Sequence, residues 1–291
     1  MSTANRLPTY LCRFYGNTDF ALDTIANRHV VFIHVTKLND PFDPYFFFET
    51  SFEDRYDLLL DHICKSHSAD FSTFINRWPM SEWTDALAQI HSYLDTMRRS
   101  TFMFSTSSVI GDKHPRNNLH MWGHYGNGHR GIVIEFETAE LRNCAKDANA
   151  AAKKKTQHID QALFEVKYAK RISPLSPEDV FQFLMSSDPQ SRGASAVDSY
   201  LRRTLDTKSL DWKGENEWRM LWHNDETRMK VHYMNINDHT ISAIYIGLMT
   251  PSNIVDDLVF ETRRNFPSAQ IMKAKRLPGE FALNFERVSD L

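Results

Sequence analysis

Two glutamates spaced two apart, Glu215 and Glu217, stand immediately before an apolar run, Trp218 to Trp222. If Glu217 opens a strand there, period-two alternation puts both carboxylates on one side of it. Two acids aimed at one point can divide labour. One stabilises a cationic transition state while the other positions or deprotonates a nucleophile. The competing reading is a solvated strand face, with the glutamates paired to Lys213 or Arg219.

Length and composition narrow the classes. The chain has 291 residues, 42% of them hydrophobic, with 20 Phe, 10 Tyr and 6 Trp, so a sizeable core is expected rather than disorder. A net charge of −3 gives no global basic field for nucleic acid. The basic clusters Arg98-Arg99, Lys153 to Lys155, Arg202-Arg203 and Arg263-Arg264 read as solvated faces. Three distant cysteines, Cys12, Cys64 and Cys144, form no C-x-x-C pair and fit a reducing compartment. Met1 to Thr9 lacks a basic segment followed by an apolar one, and no apolar run approaches membrane-spanning length. The expectation is a soluble cytoplasmic protein with no membrane partner.

Periodicity and breakers predict an α+β chain, 1–291 as a single domain, with a helical insertion at about 51–99. Strands are expected at Pro8–Phe14, His29–Val35, Thr101–Ser108, Ile132–Phe136 and Ala162–Tyr168, and again at Glu217–Trp222, Met229–Met234, Ile241–Ile246, Ile271–Lys275 and Phe281–Val288. Helices are expected at Thr18–Ala26, from Ser51, at Phe71–Trp78 and at Ser81–Met97 with Ser81 as N-cap. Others are expected at Pro177–Met185, Ala194–Leu205 and Asn253–Asn265, the last capped by Ser252. Ala139–Lys155 reads as an exposed helix, and His120–Tyr125 as one helical turn.

Most catalytic signatures are missing. No phosphate loop, dinucleotide fingerprint or G-x-S-x-G elbow occurs. His120 and His124 have zinc-site spacing, but Met121 stands where the glutamate of that motif would be, and no metal is expected. Asp40 and Asp43, in the turn Asn39 to Pro44, suit either Mg²⁺ in a nuclease or plain turn chemistry. Trp122 and Tyr125 suit stacking on a flat ring, such as nicotinamide or a base, or core packing.

Three strand-borne items occur in order: Arg13, then Ser105-Thr106-Ser107, then Glu215-Asn216-Glu217. Together they resemble the signature of the arginine–serine–glutamate branch of the ADP-ribosyltransferases. Over most of its length the chain also resembles an uncharacterised bacterial family with an N-D-P-F-D turn, an M-W-x-x-Y segment followed by H-[RK]-G, and W-x-x-E-x-E-W-R. Here those are Asn39 to Asp43, Met121 to Tyr125 with His129 to Gly131, and Trp212 to Arg219.

The transferase resemblance implies a split mixed or antiparallel β-sheet core, NAD as co-substrate and a macromolecular acceptor, either protein (with a lean to arginine) or nucleic acid. It implies an intracellular toxin or phage-defence effector, with an antitoxin or trigger as a partner. By analogy, Glu217 would hold the ribose hydroxyls and stabilise the oxocarbenium-like cation. Glu215 would orient the acceptor, Ser105 would hold Glu217 or the nicotinamide ribose, and Arg13 would pair with the pyrophosphate or the adenosine-side ribose. Thr106, Ser107, Trp122 and Tyr125 would complete the NAD site. The alternatives left open are the Mg²⁺-dependent nuclease and a non-catalytic ligand-binding module.

Overall fold

The computed structural model describes residues 7–44, 64–65, 79–111, 113–152, 157–159, 163–176, 179–180, 182–183, 196–224 and 231–288. The helices expected from Ser51 and at Phe71–Trp78 lie outside these residues, as does most of Pro177–Met185.

Among the described residues eleven strands form one mostly antiparallel sheet, in which β11 (Ile241–Ile246) and β12 (Gln270–Arg276) pair in parallel. Its strands are β1 (Tyr10–Tyr15), β2 (His29–His34), β3 (Thr101–Ser107), β4 (Ile132–Glu137), β5 (Gln157–Ile159), β6 (Phe164–Glu165), β9 (Glu217–Asn224), β10 (Val231–Asn235), β11 (Ile241–Ile246), β12 (Gln270–Arg276) and β13 (Leu283–Arg287). The main path runs β10-β2-β3-β1-β4-β11-β12-β13.

The sheet branches at β3. Along one edge β3 pairs with β9 over its whole length, from Thr101↔His223 to Ser107↔Glu217. Two strands share the other edge: β2 takes Phe102 and Met103, and β1 takes Ser107 opposite Cys12. Between those contacts β1 and β3 separate.

One face of the sheet carries the larger core. Leu11, Tyr15, Phe104, Ile134, Phe136, Trp218 and Met220 pack there with buried residues of three helices. These are α1 (Thr18–Ala26), α4 (Thr138–Ala151) and α6 (Ser252–Asn265). The opposite face carries a smaller cluster of Cys12, Trp122, Val133, Ala243 and Tyr245, with Trp122 coming from the short helix α3 (Leu119–His124). β4 is apolar on both sides apart from Glu135 and the terminal Glu137, which is why it reads as a continuous run rather than an alternation.

The chain divides into two compact units, the first comprising 1–34, 101–166 and 211–291, the second 35–100 and 167–210. The expected insertion at 51–99 falls inside the second. In that unit α2 (Met80–Ser100) buries Trp83, Ala86, Ile90 and Leu94 at helical spacing. Tyr93 donates to Asp198 of α5 (Ala196–Leu205) at 2.6 Å, and β7 (Lys167–Ala169) pairs in parallel with β8 (Thr207–Ser209).

Several expectations need correction. α2 starts at Met80 after Pro79, so Ser81 is inside the first turn rather than its cap. α6 begins at Ser252, and its cap position is Pro251, with no side-chain bond. α4 is amphipathic rather than exposed all round: Leu141, Cys144 and Ala145 are buried. The strand expected over Ala162–Tyr168 is broken at Val166, because its two halves serve different partners, β9 and β8. Strands β5 and β8, three residues each, carry too few positions for an alternation to register.

Gly131 marks where backbone crowding fixes residue choice. Its N–H donates to Gly126 at 2.8 Å, its carbonyl accepts from Gly247 at 3.0 Å, and an added Cβ would run into the carbonyls of Tyr15 and Gly126. Gly131→Ala should therefore lower stability by roughly 1–3 kcal/mol, the scale for overpacking. Urea unfolding checks this; an unchanged midpoint would contradict the close approach.

Candidate functional site

The three motif strands are neighbours, in the order β1-β3-β9. On one sheet face their registers align a row: Glu217 opposite Ser107, Ser107 opposite Cys12, Cys12 opposite Glu135, Glu135 opposite Ala243. At about 4.8 Å per strand, the four side chains from Glu217 to Glu135 span about 14 Å. This is the smaller-core face, and His114, Arg116 and Trp122 lie against it.

Glu217, at the start of β9, is 4% exposed, and Arg219, two residues on and on the same face, is 0% exposed. Arg219 grips both carboxylate oxygens, Nε to Oε1 at 2.8 Å and Nη2 to Oε2 at 3.1 Å. A bidentate fork of this kind fixes the carboxylate's orientation.

Glu215 is not on the strand. It ends the 3₁₀ turn Leu210–Glu215, and Asn216, with φ of 45°, separates it from Glu217. Asparagine tolerates this left-handed conformation, and here its side chain also donates to Ser108 Oγ at 2.7 Å and Val109 O at 2.9 Å. The expected strand alternation therefore does not relate the two glutamates; a kink does. Tyr125 Oη donates to Glu215 Oε1 at 2.6 Å, so this residue orients a carboxylate.

A cavity of about 440 Å³ opens beside this turn. Ser107, Ser108, Lys113, His114, His120 and Glu215 line it, while Glu217 does not. The volume falls in the ordinary small-molecule range.

Arg13 projects from the other side of β1. Its neighbours Leu11 and Tyr15 belong to the larger core, and its guanidinium lies 4.7 Å from the Phe104 ring centroid and 5.6 Å from that of Tyr15. Its Nη1 donates to Ser105 O at 3.1 Å, reaching β3 where the two strands have parted. Burial lowers its pKa; the nearby charges of Tyr15 and Glu217 oppose that shift. Arg13 thus bridges the split and senses Glu217 without sharing its face. Thr106 also points away from the row and donates to Trp218 O at 3.1 Å. Ser105 lies on the row's face, opposite Arg219.

Trp122 is 0% exposed. Its indole stacks on His129 with centroids 5.7 Å apart, meets Phe14 edge-on at 5.4 Å, and donates from Nε1 to Arg116 O at 2.7 Å. It is a core residue, and its position gives a ligand ring no free face. Asp40 and Asp43 sit in the second unit as turn residues. Asp40 Oδ1 accepts from Phe42 N at 2.9 Å, and Asp43 Oδ2 is 3.9 Å from Lys208 Nζ.

At the other end of the row is a polar network that the sequence reading missed. Glu135 accepts from Ser242 Oγ at 2.7 Å, from Tyr245 Oη at 3.0 Å and from His114 Nε2 at 2.6 Å. Arg116 N–H donates to His114 Nδ1 at 3.2 Å, which assigns the ring proton to Nε2. Arg116 Nη1 donates to Tyr245 Oη at 2.5 Å. Burial pushes the Glu135 carboxyl up, but the hydrogen bonds from His114, Ser242 and Tyr245 bring it below its ordinary value. Burial, reinforced by Glu135, raises the Cys12 thiol well above its usual range, with Arg116 opposing. A signal was available: Glu135 inside Ile132–Phe136 and Arg219 inside Trp218–Trp222 are lone charges in apolar strands, and such charges need partners.

Residues 121–220 match the family model described as Protein of unknown function (DUF2971). That span takes in Met121 to Tyr125, His129 to Gly131 and Glu215 to Arg219, and leaves out Arg13 and Ser105 to Ser107. No curated protein and no solved structure matches the chain. Among the described residues, no helix is long and apolar enough to cross a membrane.

Proposed function

We propose that this protein transfers ADP-ribose from NAD to a macromolecular acceptor, using an ADP-ribosyltransferase-like split sheet. One observation carries the reading. Arg13, the serine triplet and Glu217, separated by 92 residues from Arg13 to Ser105 and farther still to Glu217, lie on three adjacent strands, with Glu215 in the turn just before the third. There Ser107 faces Glu217 across the β3-β9 pair and lines one cavity with Glu215.

The two glutamates take different roles from those their order suggests. Glu215, on the cavity wall and oriented by Tyr125, is the carboxylate that meets the ribose hydroxyls and the oxocarbenium-like transition state. A negative charge fixed beside developing positive charge stabilises the transition state more than the ground state. Glu217, locked by Arg219, holds the turn and the serine in place. Arg13 spans the β1-β3 split rather than binding pyrophosphate, and Lys113 supplies a cationic group and His120 an imidazole to the cavity lining. Protein arginine and nucleic acid both remain acceptors under this reading, and a toxin or defence role with an antitoxin or trigger is its biological corollary.

The test is nicotinamide release from NAD by purified protein, alone and with lysate, followed by a search for labelled acceptors. Release that disappears when Glu215 loses its charge is the expected result. No release under any of these conditions would overturn the reading.

A further inference from the structure

We propose that Cys12, His114 and Glu135 form a binding site for one divalent transition-metal ion of the zinc class, with a fourth coordination position left to water.

The three residues come from separate parts of the first unit. Cys12 and Glu135 are directly opposite on β1 and β4, and His114 precedes the 3₁₀ turn Pro115–Asn117. One ligand atom from each lies within 4.8 Å of the others, with Cys12 1% and Glu135 6% exposed. Zinc bonds of about 2.0–2.3 Å place tetrahedral ligand atoms roughly 3.3–3.8 Å apart. Closing on an ion therefore takes side-chain shifts of about 1 Å. The strand pair that carries two of the ligands need not move.

The donor set selects the ion class. Thiolate with imidazole and carboxylate suits zinc and its borderline neighbours, and a sulfur ligand disfavours Mg²⁺ and Ca²⁺. Three protein ligands plus an open position is the arrangement of reactive rather than closed structural zinc sites. The outer partners are already in place. Ser242 holds Glu135 Oε1, which leaves Oε2 for the ion, and Tyr245 steadies that second oxygen.

Proton and charge balance are simple. The Cys12 thiol releases one proton as its sulfur binds. His114 stays neutral, its proton moving from Nε2 to Nδ1 so that Nε2 can coordinate. That move breaks the 3.2 Å bond from Arg116 N–H, which is the local cost of loading. One dication, one thiolate and one carboxylate sum to zero among themselves, with the Arg116 guanidinium on Tyr245 as a further positive charge beside them. The same geometry argues against a cysteine–histidine nucleophile, because His114 Nε2 is directed at Glu135.

The experiment uses full-length, tag-free protein stripped with a chelator and titrated with Co²⁺, then with Zn²⁺ in competition. One Co²⁺ per chain, with a near-ultraviolet thiolate-to-metal band, is expected. Cys12→Ser should abolish the band and weaken zinc binding by at least about 100-fold, at or beyond the upper end for losing an outer-shell partner. Cys144→Ser, which removes a buried thiol hydrogen-bonded to Thr240 elsewhere, should keep both. Melting curves verify that the variants fold. The absence of a thiolate band in wild type, or one that survives Cys12→Ser, would overturn the site. The readout is independent of NAD turnover.

Discussion

Glu215→Gln is expected to lower nicotinamide release from NAD by about 10²–10³-fold, the scale for removing one electrostatic stabiliser of a transition state. The substitution is nearly isosteric, and its amide oxygen can still accept from Tyr125, so the kink at Asn216 should survive. What is lost is the negative charge on the cavity wall. The melting temperature should stay close to wild type, which separates a chemical from a folding defect. Activity within a few-fold of wild type would remove Glu215 from the reaction. If Glu217→Gln alone removed turnover in a folded protein while Glu215→Gln spared NAD hydrolysis, the order-based assignment of the two acids would be restored.

Arg219→Met is expected to destabilise the protein by about 3–5 kcal/mol, the scale for breaking a buried ion pair by removing one side of it. Arg219 is fully buried and supplies two hydrogen bonds to a carboxylate that is itself almost without solvent contact. Methionine fills much of the same volume, so the loss reports the broken pair more than a cavity. Adding Glu217→Gln to Arg219→Met should recover part of the stability, because the buried carboxylate charge is then removed as well. Denaturant unfolding of the two single variants and the double variant measures the coupling. Additive losses would mean that the pair does not act as a unit.

Much of the architecture was legible in the sequence. Thr18–Ala26 and Ile241–Ile246 coincide with their predicted bounds, and β1 to β4 agree within a residue or two. Runs of β-branched and aromatic residues, bounded by glycine, proline and asparagine, identify strands locally. The misses are short or shared elements. β5 and β8 have three residues each, and the break at Val166 exists because neighbouring residues pair with different strands.

The site divides along the same line. Residue types and their order singled out an arginine, a serine triplet and paired acids as candidates, because these are local facts about the chain. Only the tertiary structure decided which of them meet. Strand register brought Ser107 opposite Glu217 and aligned Cys12 with Glu135. Alternation turned Arg13 to the far face, and a left-handed Asn216 took Glu215 off the strand and onto the cavity wall. Burial made Trp122 a core residue and committed Arg219 to Glu217. Pairing register and burial are properties of contacts between residues about a hundred positions apart, and the spacing along one chain does not encode which side of a strand those contacts will use.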